Sequence, residues 1–575
     1  MRRNFLGRLL FVLALGLAFA LSLWLRMGFP INALGPAMHD DLLFVRQAAS
    51  IGLGHWLDAY DRMTHAKGIG YPAFLLVNRE IGLPLKLTEH ACYLGSALFF
   101  SLTTGRLYHS RWAALATFSL LAFIPVVWNP GVGGRVVREN FYVTLSLLLL
   151  TLGIRCWLVQ SPEPSTNTPS IQLRRKWPSL LLLGLVAGVF WVTREEGVWL
   201  LPAMSLLVFY WLWRHRSVLR FWRPALMFLL LPVLAASLVV GAVNTANYVH
   251  YGVFRNNDFR SGDFQAGYGA LTRIRHDASQ RYVLFPRDAR DRAYAMSAAA
   301  RELKPFFEGP GADGWRNIGC NQTGTRPCPE ILSGWFMWAL RDAVADAGHY
   351  RTATEARRFY RQLADEIDEG CRQRPGECLP RRQTLVPPWQ DRFVTDTLSA
   401  AGEVFNTLAT LGGPQVGIGQ SEGSPSQLAV FEALTHGPLA PSPESTRGGA
   451  TGELSTDATA DAIRQGMARW FADMESRVLT AGLPIALLLW VGWWVAALIR
   501  RHVDAPLMLA TALTAAVVTR VGLLSFLEAT SIPSNNMLYL FPVAPMALAL
   551  LPVVLWGCLR FVRPSPAQER PFAPT

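Results

Sequence analysis

The sequence predicts a mainly α-helical protein that crosses a membrane about ten times and carries a large external domain, mostly helical and irregular. Three observations lead there. Of 575 residues, 51% are apolar and only 17% charged, too apolar a balance for one soluble domain of that length. Runs of roughly 18 or more mostly apolar residues, the length that crosses a hydrocarbon core, recur along the chain. Lys and Arg fall in alternate intervals between those runs, the pattern that sets membrane orientation.

The first run, residues 9–26, follows the basic start "MRR". It reads as a retained helix, with a cleaved signal peptide as the alternative; the apolar core is long for one, and no small-x-small site follows. Further spans are expected at 87–104, 112–128, 139–158, 178–193, 197–213, 224–246, 476–499, 505–526 and 536–559. The stretch 178–213 is divided into two helices around "TREEG"; one long broken helix there would invert everything after it. With the N-terminus in the cytoplasm, the inside segments hold 18 Lys and Arg against 3 acids, Glu163, Asp504 and Glu569. The net charge of +13 is therefore a topology signal and gives no support to nucleic-acid binding. It favours both termini inside.

Three regions follow: a membrane module at 1–246 with outer loops, an external domain at 247–475, and a last membrane section at 476–575. In the insert, "DAVADAGHYRTATEARRFYRQLADEIDEG" repeats apolar residues at helical spacing, from Ala343 to Ile367. Residues 412–456, rich in Gly, Pro, Ser and Thr, read as an irregular or mobile loop. Cys320, Cys328, Cys371 and Cys378 all lie in the insert, an even number that points to two disulfides in an oxidising compartment. Their spacings are wide for a zinc knuckle. Local pairing, Cys320 with Cys328 and Cys371 with Cys378, is the first choice among three connectivities. The sequon at Asn321 reads as chance in a chain of bacterial character.

Polar clusters mark the expected outer face. Residues 40–57 can form an amphipathic helix along the membrane surface, with Leu42, Val45, Ala49, Leu53 and Trp56 on one side. Asp40 and Asp41 begin it, and capping alone would explain them. "AKGIGYP" brings Lys67 and Tyr71, "GGRVVREN" brings Arg135, Arg138 and Glu139, and "TREEG" brings Arg194, Glu195 and Glu196. Ionisable groups at membrane depth are costly. Any one cluster is as well explained by snorkelling or loop pairing; four on one face favour a shared site.

These stretches resemble the polytopic GT-C glycosyltransferases, which include protein mannosyltransferases and lipid A aminoarabinose transferases. The resemblance rests on "HDD" after the first span, "KGIGYPAFLL", "RENFY" opening the fourth span and "TREEGVWLLP", and covers roughly residues 1–255. One departure concerns the Arg-Tyr pair that many members carry at a late span. "SNNMLYLFPVAPM" has Tyr539 without an adjacent Arg, and Arg520 is a candidate replacement. The resemblance implies an inverting transfer from a polyprenyl-phosphate sugar, drawn from the bilayer, to a glycan, lipid or protein acceptor at a bacterial inner membrane. No Walker-type loop for a nucleotide is present in the sequence. Asp40 or Asp41 is the expected base, Asp40 first. Lys67, Arg138 and Arg194 are candidates for the donor phosphate. His39, Tyr71, Glu139 and Glu195 are supporting residues. Glu139 would orient an arginine or help hold a divalent cation; metal use stays open. The competing classes are a transporter or flippase, which predicts symmetric repeats that the sequence lacks, and a non-catalytic scaffold.

Overall fold

The computed structural model describes residues 2–159, 169–214, 222–277, 281–324, 326, 328–413, 415–443 and 458–562. Among the residues outside that range are Glu163, Arg216, Arg220, Arg563, Glu569 and Arg570 of the charge pattern, and residues 444–457 of the Gly- and Ser-rich stretch.

Among the described residues, nine helical segments are long and apolar enough to cross a membrane, and each matches an expected span. The tenth, expected at 87–104, is the helix Leu85–Leu107 of 23 residues. Its length of about 34 Å suffices for a crossing. It falls short in apolarity because Lys86, Glu89 and His90 occupy its first turns. The division at "TREEG" is observed: one helix runs Pro169–Thr193 and the next Leu201–Arg214, with a 3-10 turn Gly197–Leu200 between them. Two expected spans differ in form. Residues 112–128 form the helix Arg111–Ala122 and a separate 3-10 turn Pro125–Trp128, because Pro125 lacks the N–H that would continue the helix. The span expected from 476 begins at Ala458 and runs 42 residues to Ile499.

The helices Pro169–Thr193 and Trp222–Tyr251 pack along their lengths. Gly184 and Gly188, four residues apart, allow it. A Cβ on Gly184 would lie 2.3 Å from the Pro232 carbonyl, and one on Gly188 2.6 Å from Val239. Small residues at this spacing let membrane helices approach closely.

Outside the bundle, the helices Gly262–Thr272 and Ala353–Gln373 pair over an apolar core that includes Phe264, Tyr268, Phe336, Phe359 and Leu363. The helical pattern at 343–367 is divided between two helices, Ser333–Asp346 and Ala353–Gln373; Gly348, at φ 87°, turns the chain between them. Both disulfides form with the local pairing, Cys320–Cys328 and Cys371–Cys378.

Two expectations are corrected. The stretch 412–456 is not irregular throughout: it holds the helix Pro425–Thr435, started by a capping box between Ser424 and Gln427 with Pro425 in its first turn. The surface helix expected at 40–57 is Asp41–Gly52, and it is not laid open on a surface. It packs between the helices Gly70–Ile81 and Pro425–Thr435, and Leu42, Phe44, Val45, Tyr71, Leu75 and Phe431 form a small separate core there. The chain leaves the helix at Gly52 because Gly54, Trp56 and Asp58 take positive φ. The Trp56 ring stacks on His250 and its indole N–H donates to Asn247, 2.8 Å.

Candidate functional site

The four polar clusters meet at one end of the bundle, where five carboxylates are matched by five cations. The two aspartates at the start of helix Asp41–Gly52 point to different partners. Asp40 occupies the cap position but its side chain makes no capping bond. It pairs with Lys67 and keeps 46% of its side chain exposed. Asp41 is fully buried and takes two bonds from Arg135, Nη2 to Oδ2 at 2.5 Å and Nε to Oδ1 at 3.3 Å. Burial pushes the Asp41 carboxyl above its usual range even against Arg135.

Lys67 is carried by a loop pressed against the end of helix Pro169–Thr193. A Cβ on Gly68 would lie 2.1 Å from the Val192 carbonyl, and one on Gly70 equally close to the Thr193 hydroxyl. Two glycines are thus required where "KGIGYP" meets "TREEG". The Lys67 ammonium lies over the rings of Phe44 and Trp338, at 5.3 and 5.8 Å. Burial, then the nearby Arg138, pushes its pKa well below the ordinary lysine value, with Glu139 and Glu195 opposing.

Deeper in, Arg138 grips both oxygens of Glu195, at 3.0 and 2.8 Å. Glu195 also accepts from the Gly68 N–H and from Asn257. Arg194 pairs with Glu139 and with Glu196, and its guanidinium lies 5.5 Å from the Tyr539 ring centre. Arg520 donates to the Tyr539 carbonyl at 2.7 and 3.0 Å and pairs with Glu196 at 3.2 Å. Burial works against the Glu196 carboxylate, but Arg194 and Arg520 hold its pKa at about 2. Arg520 and Tyr539, 19 residues apart, are therefore neighbours, and both reach the Arg194–Glu196 pair. Arg260 lies 4.3 Å from the Trp191 ring centre and has no carboxylate at ion-pair distance among the described residues.

The insert that follows the helix Trp222–Tyr251 reaches into this mouth. The His39 ring sits edge-on to Trp315 and Trp338, 4.9 and 5.1 Å away, and burial with Lys67, Arg62 and Arg341 lowers its pKa to about 4. Arg341, fully buried, pairs with Asp258 at 2.8 Å and donates to the Arg62 carbonyl. Asp258 also binds Arg255 at 2.8 Å and Tyr60 at 3.2 Å. Burial opposes its charge, yet Arg255 and Arg341 hold the carboxyl well below the usual range. This clamp ties the helix Ser333–Asp346 to the loop that ends in Lys67.

Of the expected site residues, Asp40, Asp41, Lys67, Arg138, Glu139, Arg194, Glu195 and His39 are brought together. Tyr71 is not at the mouth: its ring meets Phe44 edge-on, and its hydroxyl donates to Glu89 at 2.6 Å in a second buried group with Lys86. Arg135 and Glu196 are named in the polar clusters without a role of their own; Asn257 and the Asp258–Arg341 clamp were not foreseen as site members. The first two stand inside quoted motifs; the others lie beyond the stretches that signalled a site. Among the described residues, no group of three or more His, Cys, Asp and Glu could hold a metal ion. Glu139, considered for that role, is engaged by Arg194.

No family model matches the chain, and no curated protein matches it. Among solved structures, it is similar to ArnT from Cupriavidus metallidurans bound to undecaprenyl phosphate, at 14% identity over 95% of this chain and 77% of that one, with TM-score 0.32. It is also similar to the arabinosyltransferase EmbB from Mycobacterium smegmatis, at 14% identity over 81% of this chain and 40% of that one, with TM-score 0.27. Both TM-scores are too low for the likeness to bear on the site.

Proposed function

We propose that the protein is a GT-C-type glycosyltransferase, moving a sugar with inversion from a polyprenyl-phosphate donor to an acceptor on the outer face of a bacterial inner membrane. One observation carries the reading. Of the five carboxylates at the mouth, four are held by arginines, and only Asp40 is half-exposed and held by a single lysine.

The five pairs are matched and Arg260 stands beside them without a carboxylate at ion-pair distance among the described residues, so a second cation for an incoming phosphate has to leave its carboxylate. Lys67 is the one whose partner is the most exposed of the five, at 46% for the Asp40 side chain. In the proposed step, the donor phosphate draws Lys67 away from Asp40. The freed Asp40 carboxylate takes the proton of an acceptor hydroxyl or amine. The acceptor atom bonds to the anomeric carbon from the side opposite the phosphate. The bond from that carbon to the phosphate oxygen breaks, and its electron pair stays on the polyprenyl phosphate. The buried Lys67 ammonium stabilises that charge, and Arg260 stands ready as a second donor. Arg138, Arg194 and Arg520 keep their carboxylates and hold the frame.

The test uses the purified full-length chain with a polyprenyl-phosphate sugar. Release of polyprenyl phosphate is expected, and should fall with Asp40→Asn and Lys67→Met. No release from a panel of such donors, or release unaffected by both substitutions, overturns the reading.

A further inference from the structure

A cavity of about 650 Å³ opens between the helix Asp313–Thr323 and the end of the helix Ala505–Thr530, in the size range of small-molecule sites. Its floor is the outer end of the helix Ala505–Thr530, at Glu528, with Pro533 beyond it. One wall is the helix Asp313–Thr323, closed on itself by the Cys320–Cys328 disulfide. That wall also separates the cavity from the mouth. Trp315 faces His39, Trp335 lies 6.0 Å from Trp315, and the Trp335 indole donates to Gln322 on the cavity side.

The cavity's polar groups differ in how far they are used up. Glu528 accepts from the Ser534 and Asn535 N–H groups, at 2.5 and 2.8 Å. Glu330 accepts from the Arg287 N–H at 2.9 Å and from Arg290 at 2.6 Å. Glu330 is thus paired with a cation of its own, and Glu528 is turned toward backbone N–H groups. Arg281 lies over the Tyr282 ring and gives one bond to the Glu528 carbonyl; Arg326 gives one to the Asn321 side chain. Neither arginine has a carboxylate at ion-pair distance among the described residues. A guanidinium has several N–H groups in a flat fork, so both retain capacity for an anion. Thr323 and Gln322 add groups suited to hydroxyls.

We infer that this cavity binds an acidic sugar, one bearing a phosphate or carboxylate, with Arg281 and Arg326 on the anion. Resting on the transferase reading, this is the anchor for the acceptor. Its floor at the outer end of a span suits a sugar displayed on a lipid as well as a free glycan.

Two probes separate those sources: glucose 6-phosphate as a free phosphosugar, and a short-chain phosphatidylglycerol as a membrane anion. Each is titrated calorimetrically into the full-length chain in neutral detergent, with glucose as the uncharged control. Saturable binding of glucose 6-phosphate but not glucose is expected. Arg281→Gln should weaken it about tenfold or more, and so should Arg326→Gln, whose exposed side chain is not part of the core. Asp40→Asn should leave it unchanged. Binding of both probes with the same arginine dependence supports the inference and extends the site to membrane-borne anions; binding of phosphatidylglycerol without glucose 6-phosphate shows a lipid-anion site and overturns the acidic-sugar inference. No binding of either probe, binding insensitive to both arginines, or binding lost with Lys67→Met but kept with Arg281→Gln overturns the inference. Transfer activity that survives such a failure leaves the proposed function standing, so the two fail separately.

Discussion

Two adjacent aspartates of the same chemistry have different surroundings, and the difference can be measured. Asp40→Asn keeps the side chain's size at a half-exposed position and removes its basicity. Its expected effect is a loss of transfer by about two orders of magnitude or more in protein that still folds. Asp41→Ala leaves the partly buried Arg135 without its counter-charge and empties the buried place of the Asp41 side chain. The expected cost is about 3–5 kcal/mol of stability, read by chemical denaturation. Should Asp40→Asn retain full transfer, the base is another group. His39 adds a pH effect. Its pKa is about 4 in the fold against 6.5 for a free histidine, so between those values the unfolded chain binds the extra proton. Its contribution is complete above pH 6.5 and is lost as pH falls toward 4. Asp41, raised by burial, works in the opposite direction at the acid end. Comparing the wild type with His39→Phe isolates the histidine: the variant's melting temperature should fall less steeply from pH 6.5 to 4.

At the scale of elements, the site depends on how closely a loop approaches a helix end. Gly68 and Gly70 have no room for a side chain against Val192 and Thr193. Gly68→Ala must push the loop outward, and Lys67 with it. Overpacking of this kind costs about 1–3 kcal/mol. A lower melting temperature together with reduced transfer is expected; an unchanged rate would mean that the position of Lys67 does not matter. The helix Asp41–Gly52 shows the converse case. Its apolar side suggests a membrane-surface helix, but the partner of that side is another part of the protein, the late helix Pro425–Thr435.

For the whole molecule, two predictions concern compartment and orientation. Peptide mapping under non-reducing conditions should recover the crosslinks Cys320–Cys328 and Cys371–Cys378, with Cys92, Cys156 and Cys558 as thiols. Recovery of four free thiols from the external domain would place that domain in a reducing compartment. The balance of 18 basic against 3 acidic residues in the proposed inside segments predicts that a reporter fused after Arg570 is active only in the cytoplasm. Periplasmic activity of that fusion would invert the topology and, with it, the face on which transfer is proposed.

The sequence by itself determined the membrane class, the approximate position of the spans, the break at "TREEG" and the local disulfides. Each depends on composition or on residues near one another: apolar length, charge between runs, and short cysteine loops. It also pointed to most of the mouth's charged residues, because ionisable side chains beside apolar runs stand out. It could not separate Asp40 from Asp41, since burial and partner are properties of the packed chain. Arg135 reaches Asp41 across 94 residues and Arg520 reaches Glu196 across 324, and no local pattern encodes such meetings. Tyr71 was drawn away by Glu89, and Gly68 acquired its role only when Val192 closed over it. Those choices were made by the tertiary structure, because a buried charge must find its counter-charge wherever the fold brings one within reach.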